Sequence, residues 1–372
     1  MEGSNKKSKL IVSLIILLVS FGFSVFLSHY TYNTDFTGYY YAASTILDSN
    51  APNISVYDID IINRYSIPEA TEFHGFSFLS SMPVAYIIAP LALMPYFKAK
   101  SVMIFINILM YLAAIAIALR LGGASGRWFA YPLAILCLWW PFIHSMRHGQ
   151  LNGIILCLIA IAVFTATKNH PTICGIFLAI AALFKLFPIA IAMLLGVKNW
   201  RIFASCIVAF SVSFIIPGSL KWFQALSNNL PHFNFVYTPL YLWLKQFDFG
   251  WYWIYAATVA GFSALLVYRS KNVNYPLIAS FAIPSVFLVM PLLEYTHLTL
   301  LAFSYSYIVV TTKKSIHSLL IFTILSFILI NTSFFFVNLL VLNIIVSFSL
   351  VVFWAALAYN LSTAPCVEGL NV

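Results

Sequence analysis

Residues Ser101–Leu119 read SVMIFINILMYLAAIAIAL and contain no charged side chain. An α-helix of this length rises about 28 Å, close to the ~30 Å thickness of the hydrocarbon core of a bilayer. Lipid offers no hydrogen-bond partners to the backbone, so a stretch of this kind crosses the membrane as a helix. We therefore predict that Ser101–Leu119 spans a membrane.

The composition extends this interpretation to the whole chain. Of its 372 residues, 62% are hydrophobic and only 8% are charged, whereas soluble domains carry about 25% charged residues. With so few charges the chain would aggregate in water, so lipid must be the solvent for most of it. We expect an all-α, polytopic membrane protein with about 10–12 transmembrane helices, forming a single integral membrane domain over residues 1–372.

The basic residues predict the topology. The net charge is +9, but the lysines and arginines mostly lie in short links between apolar runs, which is typical of cytoplasmic loops and does not indicate a nucleic-acid partner. The run Leu10–Leu27 follows three lysines and predicts an uncleaved first span with a cytoplasmic start. The larger loops at 29–75 and 217–250 are then extracytoplasmic, and we expect short interfacial helices in the first of them.

One segment does not fit this alternation unless it is re-entrant. Lys98 and Lys100 lie at one end of the Ser101–Leu119 span and Arg120 lies at the other end, so both ends cannot be cytoplasmic. We assign Arg120 to the inside and the two lysines to an outer link. The segment Phe76–Met94, which contains two prolines, then enters the membrane and returns.

Asp35 is the first candidate for chemistry, in the first outer loop. Aromatic residues surround it in the sequence, including Tyr32, Phe36 and Tyr39. Partial desolvation tends to raise the pKa of a carboxyl group and suits it to general-base work. A solvated carboxylate at the membrane surface is the alternative interpretation, and the residues alone leave it open.

A second polar cluster interrupts the apolar pattern at residues 147–152. Arg147 can bind a phosphate in bidentate fashion, and Gln150 and Asn152 can hold sugar hydroxyls, with His148 between them. Polar groups at membrane depth are costly and usually functional. The alternative is an arginine that extends to the lipid head groups beside the start of a helix.

Two further clusters lie later in the chain. Lys185 precedes Pro188. A helix broken by proline often lines a cavity, and an ammonium group in such a cavity is suited to bind an anion. The alternative is a lysine at the end of a helix at the membrane interface. Glu294 and His297 are three residues apart and could form a metal pair, a pH-sensing pair or a phosphate contact. No second pair of metal ligands accompanies them, and the five cysteines lack metal-ligand spacing, so we predict no metal, cofactor or disulfide.

In their order, these motifs resemble glycosyltransferase family 87, the polyprenol-phosphate-mannose-dependent mannosyltransferase-like enzymes of the GT-C superfamily. The resemblance begins with Asp35 and the tyrosines that follow it, and it departs from the family pattern at Leu186, where a proline is usual. The other segments that carry it are Val56-Tyr57, Phe78–Pro83, Pro90–Pro95, Gly149-Gln150-Leu151-Asn152 (similar to GQxN), Lys185-Leu186-Phe187-Pro188 (similar to KPxP) and Pro291–His297.

The resemblance implies an activity and a set of roles. It implies a membrane enzyme that moves a hexose, with mannose the first candidate, from a polyprenyl-phosphate sugar to a hydroxyl of a glycolipid or glycan acceptor, by inverting displacement on the non-cytoplasmic face. A multi-pass protein of a bacterial inner membrane is expected, with membrane lipids as its other partners. The implied roles are general base for Asp35, donor phosphate binding for Lys185, Arg147 and His297, and substrate binding for Gln150, Asn152, Tyr39, His148 and Glu294.

Two other classes of membrane protein share this composition. A transporter or flippase of lipid-linked sugars would also place polar groups at helix breaks, but such folds often contain internal repeats, which this sequence does not show. A polymerase or ligase of lipid-linked glycans would be expected to hold its key arginine and histidine residues in a large late outer loop. In residues 217–250 that loop contains one histidine and no arginine.

Overall fold

All regular structure among the described residues is helical in a computed structural model. The model describes residues 35–48, 55–57, 78, 80–125, 132–133, 135–137, 139–229, 249–270, 274–290, 295–311, 317–333 and 339–363, with a few single positions between 19 and 26. The predicted first span Leu10–Leu27, most of the first outer loop, residues 230–248 and Glu294 lie outside the described residues.

The helices follow the predicted apolar runs closely. Those of the first half are α1 (Asp35–Leu47), α2 (Met82–Ile88), α3 (Tyr96–Leu121), α4 (Trp140–Arg147), α5 (Asn152–Thr167), α6 (Pro171–Phe184) and α7 (Pro188–Gly196). Those of the second half are α8 (Trp200–Val212), α9 (Lys221–Asn229), α10 (Phe249–Arg269), α11 (Tyr275–Val289), α12 (Leu301–Thr311), α13 (His317–Ser333) and α14 (Leu339–Thr363). Short 3₁₀ helices cover Ala89–Leu93, Ser213–Ile215 and Tyr295–Leu300.

Two of these helices are long and apolar enough to span a membrane. They are α3 and the Ile344–Ser362 part of α14, and several other apolar helices contain only 10–17 residues. Prolines begin α6 and α7, where a missing backbone N–H costs least, and so divide one apolar run into separate helices. Length and composition therefore indicate a membrane protein, while the number of crossings stays a prediction.

The basic links gather at one end of the helix bundle. Lys198, between α7 and α8, donates hydrogen bonds to the carbonyl oxygens of Tyr268 and Ser270, at the end of α10. Tyr307 near the end of α12 donates to Asn274 Oδ1 at 3.1 Å. The same tyrosine's carbonyl oxygen lies 3.2 Å from a Cβ built on Gly122, just after α3. The end of α12 thus lies beside the end of α3 and the start of α11, and the link between α7 and α8 lies beside the end of α10.

The segment before α3 returns to the end of the bundle where it began. The Ser81 N–H donates to the Leu183 carbonyl in the last turn of α6 at 3.0 Å. At the other end of the segment, the Tyr40 hydroxyl donates to the Met94 carbonyl at 2.7 Å. Both anchor points lie near the first turn of α3 and away from Gly122. That the segment enters the membrane and returns stays a prediction.

Close helix packing depends on small residues. A Cβ built on Gly175, in the middle of α6, would overlap Ser205 Oγ and the Ile202 carbonyl oxygen of α8. Since lipid tails are as apolar as the side chains, helices in a membrane associate by packing of this kind rather than by a hydrophobic driving force. The α6–α8 contact therefore has no room for a larger side chain.

We expect Gly175→Ala to destabilise the protein by about 1–3 kcal/mol, because overpacking forces the two backbones apart. Gly261, in the middle of α10, is the matched control, since a Cβ there would meet nothing within 4 Å. Gly261→Ala should leave stability unchanged or raise it by about 0.5–1 kcal/mol. Thermal unfolding of the purified protein in detergent measures both, and equal transitions for the two variants would contradict the packing argument.

Candidate active site

Asp35 is the first residue of α1 and is half-buried. The backbone N–H groups of a first helical turn have no intrahelical partners, and the helix dipole favours a negative charge there. The carboxylate thus lies at the end of the helix where its ionised form is stabilised.

Aromatic contacts fix α1 against the start of α3. The ring of Phe36 lies 5.5 Å from that of Tyr96 and the ring of Tyr40 lies 5.4 Å from it, centroid to centroid. Thr37 Oγ1 and the Tyr96 hydroxyl are 2.7 Å apart and hydrogen-bonded. Tyr39 is buried, with its ring edge-on to Phe78 at 5.9 Å. These contacts hold the residues on either side of the Asp35 turn in place.

The turn between α4 and α5 touches α1 beside the carboxylate. Gly149 has a φ of +65°, and a Cβ built on it would lie 2.6 Å from the Cβ of Phe36. The Phe36 N–H donates to the His148 carbonyl at 3.4 Å, and the Gln150 N–H donates to the Ser145 carbonyl at 3.0 Å. The glycine of the Gly149–Asn152 motif is therefore needed both for its backbone conformation and for its close approach to α1.

Four predicted site residues form one chain of side-chain contacts. Gln150 Nε2 donates to Asp35 Oδ2. Lys185 Nζ donates to Gln150 Oε1 at 2.7 Å and lies 2.6 Å from His297 Nε2. Gln150 and His297 are buried, while Asp35 and Lys185 are half-buried. Four elements distant in sequence thus meet, with a carboxylate at one end and two basic side chains at the other.

The donor and acceptor atoms of this chain follow from chemistry. An ammonium group can only donate, so the Gln150 oxygen must face Lys185 and its NH₂ must face the carboxylate. When Lys185 is protonated, the facing Nε2 of His297 must accept a hydrogen bond, which places the imidazole proton on Nδ1. In this arrangement Lys185 donates to both neighbours, and His297 accepts.

A set of hydrogen bonds around the end of α6 positions Lys185. The helix stops at Phe184, and Lys185 is extended with φ −151° and ψ 133°. Ser80 Oγ donates to the Phe184 carbonyl at 3.1 Å, and the Tyr57 hydroxyl donates to the Ser80 carbonyl at 3.1 Å. Burial raises the pKa of the Tyr57 hydroxyl above its ordinary range, so it remains a neutral donor. The Val56-Tyr57 and Phe78–Pro83 motifs thus support Lys185 from outside the site.

Asn152 supports His297 in a similar way. Its side chain is fully buried, and its Nδ2 donates to the Thr296 carbonyl at 2.9 Å and to Ser145 Oγ at 3.0 Å. The Thr296 carbonyl can only accept, so the orientation of the amide is fixed. Asn152 therefore ties α4, the start of α5 and the 3₁₀ turn of His297 together.

Arg147 and His148 lie outside the four-residue chain of contacts. Arg147 is exposed at the end of α4, and within the described part of the chain no hydrogen bond or ion pair connects it to the four residues. The imidazole ring of His148 lies 4.4 Å from that of His144, centroid to centroid. Glu294 lies outside the described residues, so its position relative to His297 is not described.

The sequence analysis missed two residues of α3. Asn107 is fully buried; its Nδ2 donates to the Gln150 carbonyl at 2.8 Å, and its Oδ1 accepts from the Ile154 N–H at 3.2 Å. The signal for it was a lone amide within an otherwise apolar span. Lys100, which we expected in an outer link, lies instead in the second turn of α3, fully buried, with its Nζ 5.9 Å from the Tyr96 ring centroid.

A comparison with protein families identifies the family of the chain. Residues 78–291, more than half of the chain, match the model of glycosyltransferase family 87. The chain therefore belongs to glycosyltransferase family 87, which confirms the resemblance seen in the motifs, and it is a glycosyltransferase. No curated protein and no solved structure matches the chain. Gln150 and Lys185 lie inside the matched region, while Asp35 and His297 flank it.

We expect Gly149→Ala to detach α1 from the turn at residues 148–150, because the added methyl group and Phe36 cannot share the space. Gly123→Ala is the control, since Gly123 also has a positive φ, +80°, but faces open space. Hydrogen–deuterium exchange of peptides from α1 should rise about tenfold for each 1.4 kcal/mol of lost packing in the first variant only. Equal exchange in both variants would rule out the close contact.

Proposed function

We propose that the protein transfers a hexose, with mannose the first candidate, from a polyprenyl-phosphate sugar to a hydroxyl group of a glycolipid or glycan. The observation that supports this is the chain of contacts from Asp35 through Gln150 to Lys185 and His297. A transfer of this kind removes a proton from the acceptor and leaves negative charge on a phosphate. The carboxylate and the two basic groups lie at opposite ends of this chain of contacts, so one end can accept the proton and the other can stabilise the charge on the phosphate.

The reaction is a single displacement. The acceptor oxygen attacks the anomeric carbon while its proton passes to the Asp35 carboxylate, which acts as general base. The bond between the anomeric carbon and the phosphate oxygen breaks, and its electron pair stays on the polyprenyl phosphate. Attack from the face opposite the leaving group inverts the anomeric centre. The phosphate is a good leaving group, so no strong acid catalyst is required.

Basic side chains stabilise the phosphate as the bond breaks. Lys185 Nζ and His297 Nε2 lie 2.6 Å apart, so a phosphate that displaces this contact would accept hydrogen bonds from the lysine and from the protonated form of the histidine. Fixed charges in a site poor in water stabilise developing charge more strongly than water does. Arg147, exposed at the end of α4, is a third phosphate ligand in this proposal. Tyr39, His148, Asn152 and Glu294 stay predicted contacts to the sugars.

The distribution of charge supports an outward-facing site. Arg120, Lys198 and Arg269 lie at the end of the bundle where α3, α10 and α12 finish, and Asp35 lies near the start of α3. The positive-inside rule assigns the first end to the cytoplasm. In this proposal the protein is a multi-pass protein of a bacterial inner membrane, with its site on the non-cytoplasmic face.

Replacing Asp35 tests the general base. We expect Asp35→Asn and Asp35→Ala to lower transfer from a radiolabelled polyprenyl-phosphate mannose in membranes by about 10²–10⁴-fold, the usual contribution of a general base. Asp48→Asn is the control, because Asp48 follows the last residue of the same helix, about 20 Å away. Full activity of the Asp35 variants would exclude the base. If the native protein is instead a flippase of lipid-linked sugars, it will move the lipid and leave the labelled sugar attached to it.

Replacing Lys185 tests the phosphate site. We expect Lys185→Gln to lower kcat/KM for the donor by about 10²–10³-fold, through loss of charge stabilisation at the leaving group. Lys168→Gln is the matched control, since Lys168 is exposed after the last turn of α5, at the end of that helix remote from Gln150. Donor titration at saturating acceptor gives the values. A change of less than about twofold in the Lys185 variant would exclude this role.

A further inference from the structure

The amide of Gln150 is occupied at both ends. Its side chain is only 5% exposed, its NH₂ donates to Asp35, and its oxygen accepts from Lys185. Its backbone is held as well, because its N–H donates to Ser145 and its carbonyl accepts from Asn107. A residue fixed in this way is preorganised and does not rotate freely to meet a substrate.

A sugar hydroxyl would compete with these contacts. A hydrogen bond to a charged group contributes about 1.5–3 kcal/mol, and a neutral one about 0.5–1.5 kcal/mol. A sugar hydroxyl that displaced either contact would replace a bond to a charged partner with a weaker bond to a neutral one, whereas one that used the second N–H or the second lone pair of the amide would leave both contacts in place. The contacts that this structure gives the side chain are the ones it holds most strongly.

We propose that Gln150 is a positioning residue. Its NH₂ group holds the Asp35 carboxylate in a fixed orientation, and its amide couples that carboxylate electrostatically to the Lys185 ammonium group. The inference rests on the proposed function and refines the role of one residue within it. A hydrogen bond donated to a carboxylate favours the charged form. The Lys185 ammonium polarises the amide and strengthens that bond, because linked hydrogen bonds reinforce one another.

Donor binding then changes the proton affinity of Asp35. A phosphate at Lys185 and His297 neutralises part of the ammonium charge, so the amide of Gln150 becomes a weaker donor to Asp35. The carboxylate is then less stabilised, and its affinity for a proton rises. Asp35 is therefore the strongest base when the donor occupies the site, which is when an acceptor proton must be removed.

Other titratable groups surround α1, and variants at residue 150 leave all of them in place. Their positions do not connect the carboxylate to Lys185 as the amide does. They are Tyr39, Tyr40, Tyr41 and Asp48 on or directly after α1, Tyr86 on α2, Tyr96, Lys98 and Lys100 on α3, and His144, Arg147 and His148 at the end of α4.

The first test is the pH dependence of transfer by Gln150→Ala and by Gln150→Met, which keeps the side-chain volume. Loss of the donated hydrogen bond raises the pKa of Asp35, so the acidic limb of kcat/KM should move upward by about one pH unit or more. We expect kcat to fall more than KM rises. Gln224→Ala, exposed on α9, is the control and should keep the native profile. An unchanged acidic limb with a raised KM would identify a sugar contact and overturn the proposal.

The second test needs no activity. A carbodiimide reacts with protonated carboxyl groups, and mass spectrometry of the Asp35 peptide gives the pH midpoint of labelling. Farnesyl phosphate should raise this midpoint more in the native protein than in Gln150→Met, where only direct charge repulsion remains. An unchanged midpoint in the native protein, or equal shifts in the two proteins, overturns the coupling. If the shift is larger in the native protein but no sugar is transferred, the proposed function fails and the role of Gln150 stands.

Discussion

The hydrogen bond from Lys185 to the oxygen of Gln150, 2.7 Å long, is the contact on which the site depends. It joins the end of α6 to the turn before α5, and through that turn it reaches Asp35 on α1. Such a contact is costly in an apolar bundle unless both partners are held in place. The surrounding amides, hydroxyls and carbonyls provide this support through hydrogen bonds within the protein.

Much of the fold could be predicted because membrane helices follow directly from apolar runs. Ser101–Leu119 falls within α3, and the succession of short motifs indicated the family that the comparison confirms. The helix ends were less predictable. Lys98 and Lys100 read as a polar link, yet the helix begins at Tyr96, directly after Pro95 and in contact with α1.

The site was predictable as a set of residues but not as an arrangement. Asp35, Gln150, Lys185 and His297 were all chosen from the sequence, and the structure brings them into contact. The sequence could not distinguish a residue that lines a site from one that supports it, since both are polar groups in apolar surroundings. Asn107 shows this limit, because its two hydrogen bonds depend entirely on which turn lies opposite α3.

The wide sequence separation within the site has a consequence for biosynthesis. Gln150 is 115 residues after Asp35, and His297 is 112 residues after Lys185. At translation rates of about 5–20 residues per second, Asp35 emerges roughly 6–23 s before its amide partner. During this interval the carboxylate of Asp35 lacks its contact with Gln150. The finished site can therefore close only after the last of its four elements has been inserted, which makes it a late product of assembly.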